Sequence, residues 1–149
     1  MTFKQKIHSQ YQQLVQDKID VFQDMISALT EDSKNDAKGS AGDKHETALS
    51  MMHIEQEKLT NKLKEALEQK AILDKIDASQ ITTKVALGSL VKTNTLTVYV
   101  STALPKITVE GQNIFAISPQ SPLGSQLMGN SVGFSFEVNN SKFTIENIA

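Results

Sequence analysis

The chain has 149 residues, of which 39% are hydrophobic and 21% charged, and its formal net charge is −2. This composition is typical of a globular protein of one or two small domains. The absence of cysteine excludes disulfides and thiol chemistry. There is no arginine and no net positive charge, so we expect no autonomous DNA binding.

The two halves of the chain differ in composition. Residues 1–78 contain 11 of the 15 lysines and 14 of the 17 acidic residues, whereas residues 79–149 contain all three prolines and are rich in Val, Ile, Thr, Ser and Asn. The change predicts two modules, at 1–77 and 80–149. The first residues, MTFKQKIHSQYQQ, lack the apolar run of a secretion signal, and no segment has the roughly 18 apolar residues of a membrane span. We therefore expect a cytoplasmic protein without a membrane partner.

The first module has two segments of helical period. Apolar residues recur at spacings of three, four and seven in Ile7, Tyr11, Leu14, Val21, Met25 and Ala28, beside a second stripe of Val15, Ile19, Phe22, Ile26 and Leu29. The period is lost between Thr30 and Gly42 and returns with Ala48, Met52, Leu59, Leu63, Ala66 and Leu73. Two amphipathic helices joined by one break predict an antiparallel coiled-coil hairpin whose tip lies near residues 31–46. A helix over residues 46–77 would be about 48 Å long.

The second module has the pattern of short strands. Residues rich in β-branched side chains lie between turn signals at Val85–Thr93, Thr95–Thr102, Lys106–Glu110, Ile114–Ser118, Phe134–Val138 and Lys142–Ile148. Turns are predicted at residues 110–113 and at Asn139-Asn140. Ser121–Gly129 predicts a short helix with Ser121 as its cap and Pro122 at its first position, and Leu123, Leu127 and Met128 should pack inward from it. The fold class is therefore α+β.

Asp43 and Glu46 stand at the start of the second helix and allow two interpretations. They fit a capping box, in which each residue satisfies a free N–H group of the helix start. Alternatively, they are metal ligands presented to a partner. Mg²⁺ prefers oxygen ligands, and two carboxylates are too few for a private site but enough to complete a shared one.

Two segments resemble the Gre family of transcription elongation factors. Gly42–Glu46 (GDKHE) is similar to the Gly-Asp-x-x-Glu motif at the tip of the family's coiled coil. Ser121–Gly133 (SPLGSQLMGNSVG) is similar to the family's Ser-Pro-Ile/Leu-Gly/Ala-x-x-Leu-Leu-Gly-Lys-x-x-Gly segment. The resemblance covers nearly the whole chain and implies an FKBP-like β domain after the hairpin.

The resemblance also implies a function. In the family, the hairpin enters the secondary channel of RNA polymerase, and the two tip acids help to place a magnesium ion and a water that stimulate cleavage of backtracked RNA. Carried over, Asp43 and Glu46 would be those acids, sharing Mg²⁺ with the polymerase only in the complex and without a stably bound cofactor. Lys38, Lys44 and Lys58 would contact RNA or polymerase near the nascent RNA 3′ end. The chain itself would not be an enzyme.

The chain departs from the family pattern at several positions. Thr47 and Ser50 stand where the family has asparagine and an aromatic residue, and Asn130 and Phe134 replace a lysine and an acid. The resemblance therefore implies a divergent member that stimulates cleavage, inhibits it or only occupies the channel. The alternative is a structural or adaptor protein that oligomerises through the coiled coil and binds proteins through the β domain.

Overall fold

The computed structural model describes residues 1–39 and 43–149, without the side chains of residues 33, 35–39 and 43–46. Two long helices are followed by a six-stranded sheet that is interrupted by one short helix. In chain order the elements are α1 (Phe3–Gly39), α2 (Asp43–Asp74), β1 (Leu90–Thr93), β2 (Thr97–Val100), β3 (Leu104–Val109), β4 (Gln112–Ile117), α3 (Pro122–Leu127), β5 (Ser135–Val138) and β6 (Ser141–Ile148). The predicted α+β class is confirmed.

The chain divides into two compact units. The helical unit comprises Gln13–Lys70, and the sheet unit comprises Met1–Gln12 together with Ala71–Ala149. The sheet unit therefore contains the first turns of α1 and the last turn of α2 as well as all six strands. No helix in the described part of the chain is both long enough and apolar enough to cross a membrane.

In the helical unit, α1 and α2 run antiparallel. Lys18 Nζ donates to Gln69 Oε1 at 3.0 Å, and Gln56 Nε2 donates to Thr30 Oγ1 at 2.7 Å. Lys18 and Thr30 are 12 residues apart, and their partners are 13 apart in the opposite direction. The two helices therefore keep nearly the same register along their length, as expected for the predicted hairpin.

The helices extend further than the apolar period indicates. α1 continues to Gly39 and α2 begins at Asp43, so most of the segment from Thr30 to Gly42 that was predicted to be irregular is helical. The residues after Thr30 are mostly polar but compatible with a helix, so the loss of the apolar period does not mark the end of α1.

Only part of the broad apolar face of α1 is buried. Val15 and Ile19 are buried, but Val21 and Met25, which were predicted to lie on the same face, are each 49% exposed. A helix that packs against one neighbour covers a single stripe, and the flanking stripe stays in contact with solvent. On α2 the predicted stripe behaves as expected, with Leu59 and Ala66 buried.

The six strands follow the order β3-β4-β2-β1-β6-β5. All neighbouring strands pair antiparallel except β2 and β4, which are parallel. The two tight hairpins turn at the predicted positions, where Glu110 and Gly111, and Asn139 and Asn140, all have positive φ. Positive φ at both central residues matches the twist of the paired strands.

The first predicted strand is shorter than the sequence indicates. Val85–Thr93 was predicted as one strand, but β1 begins only at Leu90. Gly88 has a φ of 91°, and Ser89 Oγ accepts a hydrogen bond from Ala86 N at 2.9 Å. The turn at Gly88 separates Val85 from β1. Val85 therefore lies in a loop, but its side chain is buried in the core with 2% exposure.

The core of the sheet unit lies under α3. Ser121 caps α3 by accepting a hydrogen bond from Gly124 N at 3.0 Å, and Pro122 stands at the start of the helix, as predicted. Leu127 is fully buried in a cluster with Val91, Val98 and Ile145, among others. Leu123 and Met128 are partly buried against the same cluster, which confirms the predicted inward face of this helix.

Candidate functional site

The backbone of Asp43 and Glu46 lies in the first turn of α2, because that helix begins at Asp43. Their side chains lie outside the described part of the chain. Their roles as caps or as ligands therefore stay predictions.

Of the three lysines predicted to contact RNA or polymerase, the structure describes the side chain of Lys58 alone. Lys38 belongs to the end of α1 and Lys44 to the start of α2, and the side chains of both lie outside the described residues. Lys58 is exposed on α2. It follows Asp43 by 15 residues, which is about 22 Å along a helix axis. Lys58 would therefore meet a partner at a separate place from the two acids.

The predicted magnesium site at Asp43 and Glu46, shared with a partner, stays a prediction, because both side chains lie outside the described part of the chain. Two carboxylates supply too few oxygen ligands for an octahedral ion. Among the residues whose side chains are described, no group of three or more His, Asp or Glu side chains is placed to hold a metal. Asp43 and Glu46 would be the residues that contact the ion, with the remaining ligands coming from elsewhere.

The sheet unit contains a buried polar cluster that the sequence analysis missed. Three residues of α1 at spacings of four and three, Lys4, His8 and Tyr11, are all buried. Each makes a hydrogen bond to the later part of the chain. Lys4 Nζ donates to Gln80 O at 2.6 Å, His8 bonds Tyr99, and Tyr11 Oη donates to Pro105 O at 2.9 Å. The bonds of His8 and Tyr11 attach the start of α1 to the sheet, and the bond of Lys4 attaches it to the segment after α2.

His8 and Tyr99 form the central contact of this cluster. His8 Nδ1 lies 2.8 Å from Tyr99 Oη, and the imidazole tautomer decides which atom donates. The Tyr99 ring also lies parallel to the Tyr11 ring at a centroid distance of 6.3 Å. Burial raises the pKa of both tyrosines, that of Tyr11 to about 12, so both remain protonated at neutral pH.

The pKa of His8 is lowered because burial disfavours the charged imidazole. Asp74 opposes this effect and Lys4 adds to it. Near pH 7.5 the imidazole of His8 is largely neutral in both the folded and the unfolded state. As the pH falls through the ordinary histidine value of about 6.5, the unfolded chain binds the proton first. Stability conferred by neutral His8 is therefore lost as the pH falls.

We expect the free energy of unfolding of the sheet unit to decrease from about pH 7.5 to about pH 5.5, with a smaller decrease in the variant His8→Gln. Glutamine keeps a hydrogen-bonding group at this position but does not titrate. Urea titrations followed by tyrosine fluorescence measure the effect, since the two tyrosines of the chain, Tyr11 and Tyr99, both belong to the sheet unit. Equal pH dependence in the variant and the wild type would show that His8 is not the titrating group.

A sequence signal for the polar cluster does exist. Lys4, His8, Tyr11 and Val15 continue the helical spacing of the apolar stripe toward the start of the chain. A polar residue in register with a buried stripe indicates a buried polar contact when the helix packs against a second element. The apolar period alone predicts only Ile7 and Tyr11 on this face.

Comparison with known proteins identifies no family. No protein-family model and no curated protein sequence matches the chain. Among solved structures, the chain is similar to "Structure of the transcription factor Gfh1", with 18% identity over 92% of each chain and a TM-score of 0.35. A likeness at this identity and TM-score decides neither the fold nor the function.

Proposed function

We propose that this chain is a Gre-like transcription elongation factor. Its helical hairpin would enter the secondary channel of RNA polymerase and modulate magnesium-dependent cleavage of backtracked RNA. The observation that carries the proposal is the position of the two acids of the Gly-Asp-x-x-Glu segment: Asp43 and Glu46 stand in the first turn of α2, the second of two long antiparallel helices. An acidic pair carried on a long pair of helices suits insertion into a channel.

The second segment that resembles the family forms part of the core of the sheet unit. Ser121–Gly133 forms α3 with its serine cap and then the exit toward β5. Its buried Leu127 and half-buried Leu123 and Met128 explain the apolar positions of the segment as packing positions. This segment therefore bears on the fold of the sheet unit, and the proposed activity depends on the acids of α2.

The proposed chemistry assigns a limited role to this chain. Asp43 and Glu46 would supply oxygen ligands to a magnesium ion whose other ligands belong to the polymerase. When bound, that ion orients and activates the attacking water. The isolated protein should bind Mg²⁺ weakly and cleave no RNA. Because Thr47 and Ser50 depart from the family pattern next to these acids, docking and stimulation are separable properties of this chain.

Binding to RNA polymerase tests the proposal at its first step. The protein should comigrate with core RNA polymerase from the same organism in size-exclusion chromatography and should compete there with a cleavage factor of the Gre family. A variant truncated to residues 71–149 is not a suitable control, because residues 1–12 belong to the same compact unit. The full chain with Asp43→Asn and Glu46→Gln is the better control, since it should still bind. Failure of the wild type to bind would contradict the proposal.

A specific observation favours the adaptor alternative. Five large apolar side chains of the helical unit are 45–66% exposed: Val21, Met25, Met51, Ile54 and Leu67. Exposed apolar side chains on a coiled coil are typical of a surface that binds another helix. An adaptor would form a stable oligomer in light scattering and would be insensitive to changes at Asp43 and Glu46. A monomer that binds polymerase would exclude it.

A further inference from the structure

The sheet unit contains an apolar cavity of about 300 Å³ beside the first turn of α1. We call it the Lys4 cavity. Its walls come from the start of α1, the segment after α2, β1 and the end of β6. The lining residues are Thr2, Phe3, Lys4, Ala78, Ser79, Gln80, Ile81, Leu90, Asn147 and Ala149. Its volume lies at the lower end of the range for small-molecule sites, which are typically apolar with a few placed polar groups.

Lys4 is the one charged residue among the described residues that line this cavity. The residue is only 6% exposed, and its Nζ donates to Gln80 O at 2.6 Å. An ammonium group has three N–H donors, and hydrogen bonds with the described residues use one of them. Burial lowers the pKa of Lys4, and the nearby charge of Asp77 acts in the opposite direction. With its further N–H groups, the Lys4 ammonium can also donate to a carboxylate.

The start of α1 adds positive potential at the same wall. Thr2 and Gln5 form a reciprocal cap, in which Thr2 N donates to Gln5 Oε1 at 2.8 Å and Gln5 N donates to Thr2 Oγ1 at 3.1 Å. Helix geometry gives the N–H groups of Phe3 and Lys4 no intrahelical acceptor. The first turn of α1 contains no acidic residue. The positive end of a 37-residue helix therefore lies beside the Lys4 ammonium without a carboxylate from its own first turn.

Asp77 does not form an ion pair with the Lys4 ammonium. Its Oδ1 accepts hydrogen bonds from Ser79 N at 3.0 Å and from Ser79 Oγ at 2.5 Å. It lines a neighbouring cavity of about 340 Å³ that Lys4 also borders, and it is not among the residues that line the Lys4 cavity.

We propose that the Lys4 cavity binds a small organic monocarboxylate with an apolar tail. The carboxylate would accept hydrogen bonds from the Lys4 ammonium at the start of α1, and the tail would lie against Phe3, Ile81 and Leu90. Ile81 is 82% exposed, so covering it with a ligand removes apolar surface from water. This site is independent of the proposed role in transcription.

Hexanoate and hexan-1-ol test the proposal, because they have the same tail and differ in charge. In calorimetric titrations, hexanoate should bind the wild-type chain at least tenfold more tightly than hexan-1-ol. Lys4→Met should remove this difference by weakening hexanoate binding at least tenfold, and hexan-1-ol binding should change less than twofold. The control Lys84→Met removes an exposed lysine that lines neither cavity, and it should leave both affinities within twofold of the wild type.

A second measurement needs no substitution, and it keeps the proposal testable if Lys4→Met does not fold. A bound carboxylate favours the charged amine, so hexanoate should raise the pKa of Lys4 when its side-chain NMR signals are followed through a pH titration. Hexan-1-ol should not raise it. Equal affinity of the wild type for both probes, or an unchanged Lys4 titration with hexanoate present, would overturn the proposal.

Discussion

Replacing both Asp43 with Asn and Glu46 with Gln should abolish any stimulation of RNA cleavage in a backtracked RNA polymerase complex. The two substitutions keep the size of each side chain and part of its capping ability, but they remove the negative charges that would hold the shared magnesium ion. Cleavage should fall to the rate of the polymerase alone. If the wild-type chain inhibits RNA cleavage and does not stimulate it, the same variant should inhibit cleavage less, because it lacks the two carboxylate charges.

The measurement needs binding and helix content in parallel with the cleavage rate. The matched control is Glu55→Gln with Glu57→Gln, which removes two exposed carboxylates from a later part of α2. This control should behave as the wild type in all three assays. Full stimulation by the Asp43→Asn, Glu46→Gln variant would leave the two acids as a capping box without a role in chemistry.

The variant Leu127→Ala should lose about 2–5 kcal/mol of stability, the usual range for removing a buried leucine side chain. Leu127 is fully buried and joins α3 to residues of β1, β2 and β6 in the core. Alanine would leave a cavity there, because the surrounding side chains relax only partly after such a truncation. The loss should appear as a lower midpoint in urea titrations followed by tyrosine fluorescence.

Leu87→Ala is the matched control for this variant. Leu87 belongs to the same unit but is 40% exposed, so its truncation should cost about 0.5 kcal/mol or less. If Leu127→Ala also lost less than about 0.5 kcal/mol, α3 would not be the lid of the core.

The sequence predicts well those elements whose signals are local. The two hairpin turns depend on residues that accept positive φ, and α3 depends on Ser121 and Pro122 at its start. Each of these signals acts within a few residues, so no tertiary information is needed. The antiparallel pair of helices follows from the apolar period in the same way.

The predictions that failed depend on tertiary packing. Val21 and Met25 have the right spacing for a buried face, but the single packed neighbour leaves them exposed. Val85 has strand propensity and is buried, yet it lies before a turn and not in β1. In both cases the local pattern shows that a residue is apolar. It does not show which other element packs against that residue.

The candidate site was predictable only in part. A short motif shows where Asp43 and Glu46 stand in the chain, because their spacing is local. The contacts of Lys4 and His8 join residues 76 and 91 positions apart, and no local pattern specifies such a partner. The buried amine and imidazole therefore became apparent only once the sheet was placed against the start of α1.

Photocrosslinking from the start of α2 tests the central claim most directly. Ser50 is exposed and stands where the Gre family has an aromatic residue, so p-benzoylphenylalanine in its place suits both the structure and the family pattern. In a complex with core RNA polymerase, we predict crosslinks to polymerase segments that line the secondary channel near the active centre, and their loss when a Gre-family factor competes. Crosslinks that fall only outside the channel, or that persist under this competition, would contradict the account.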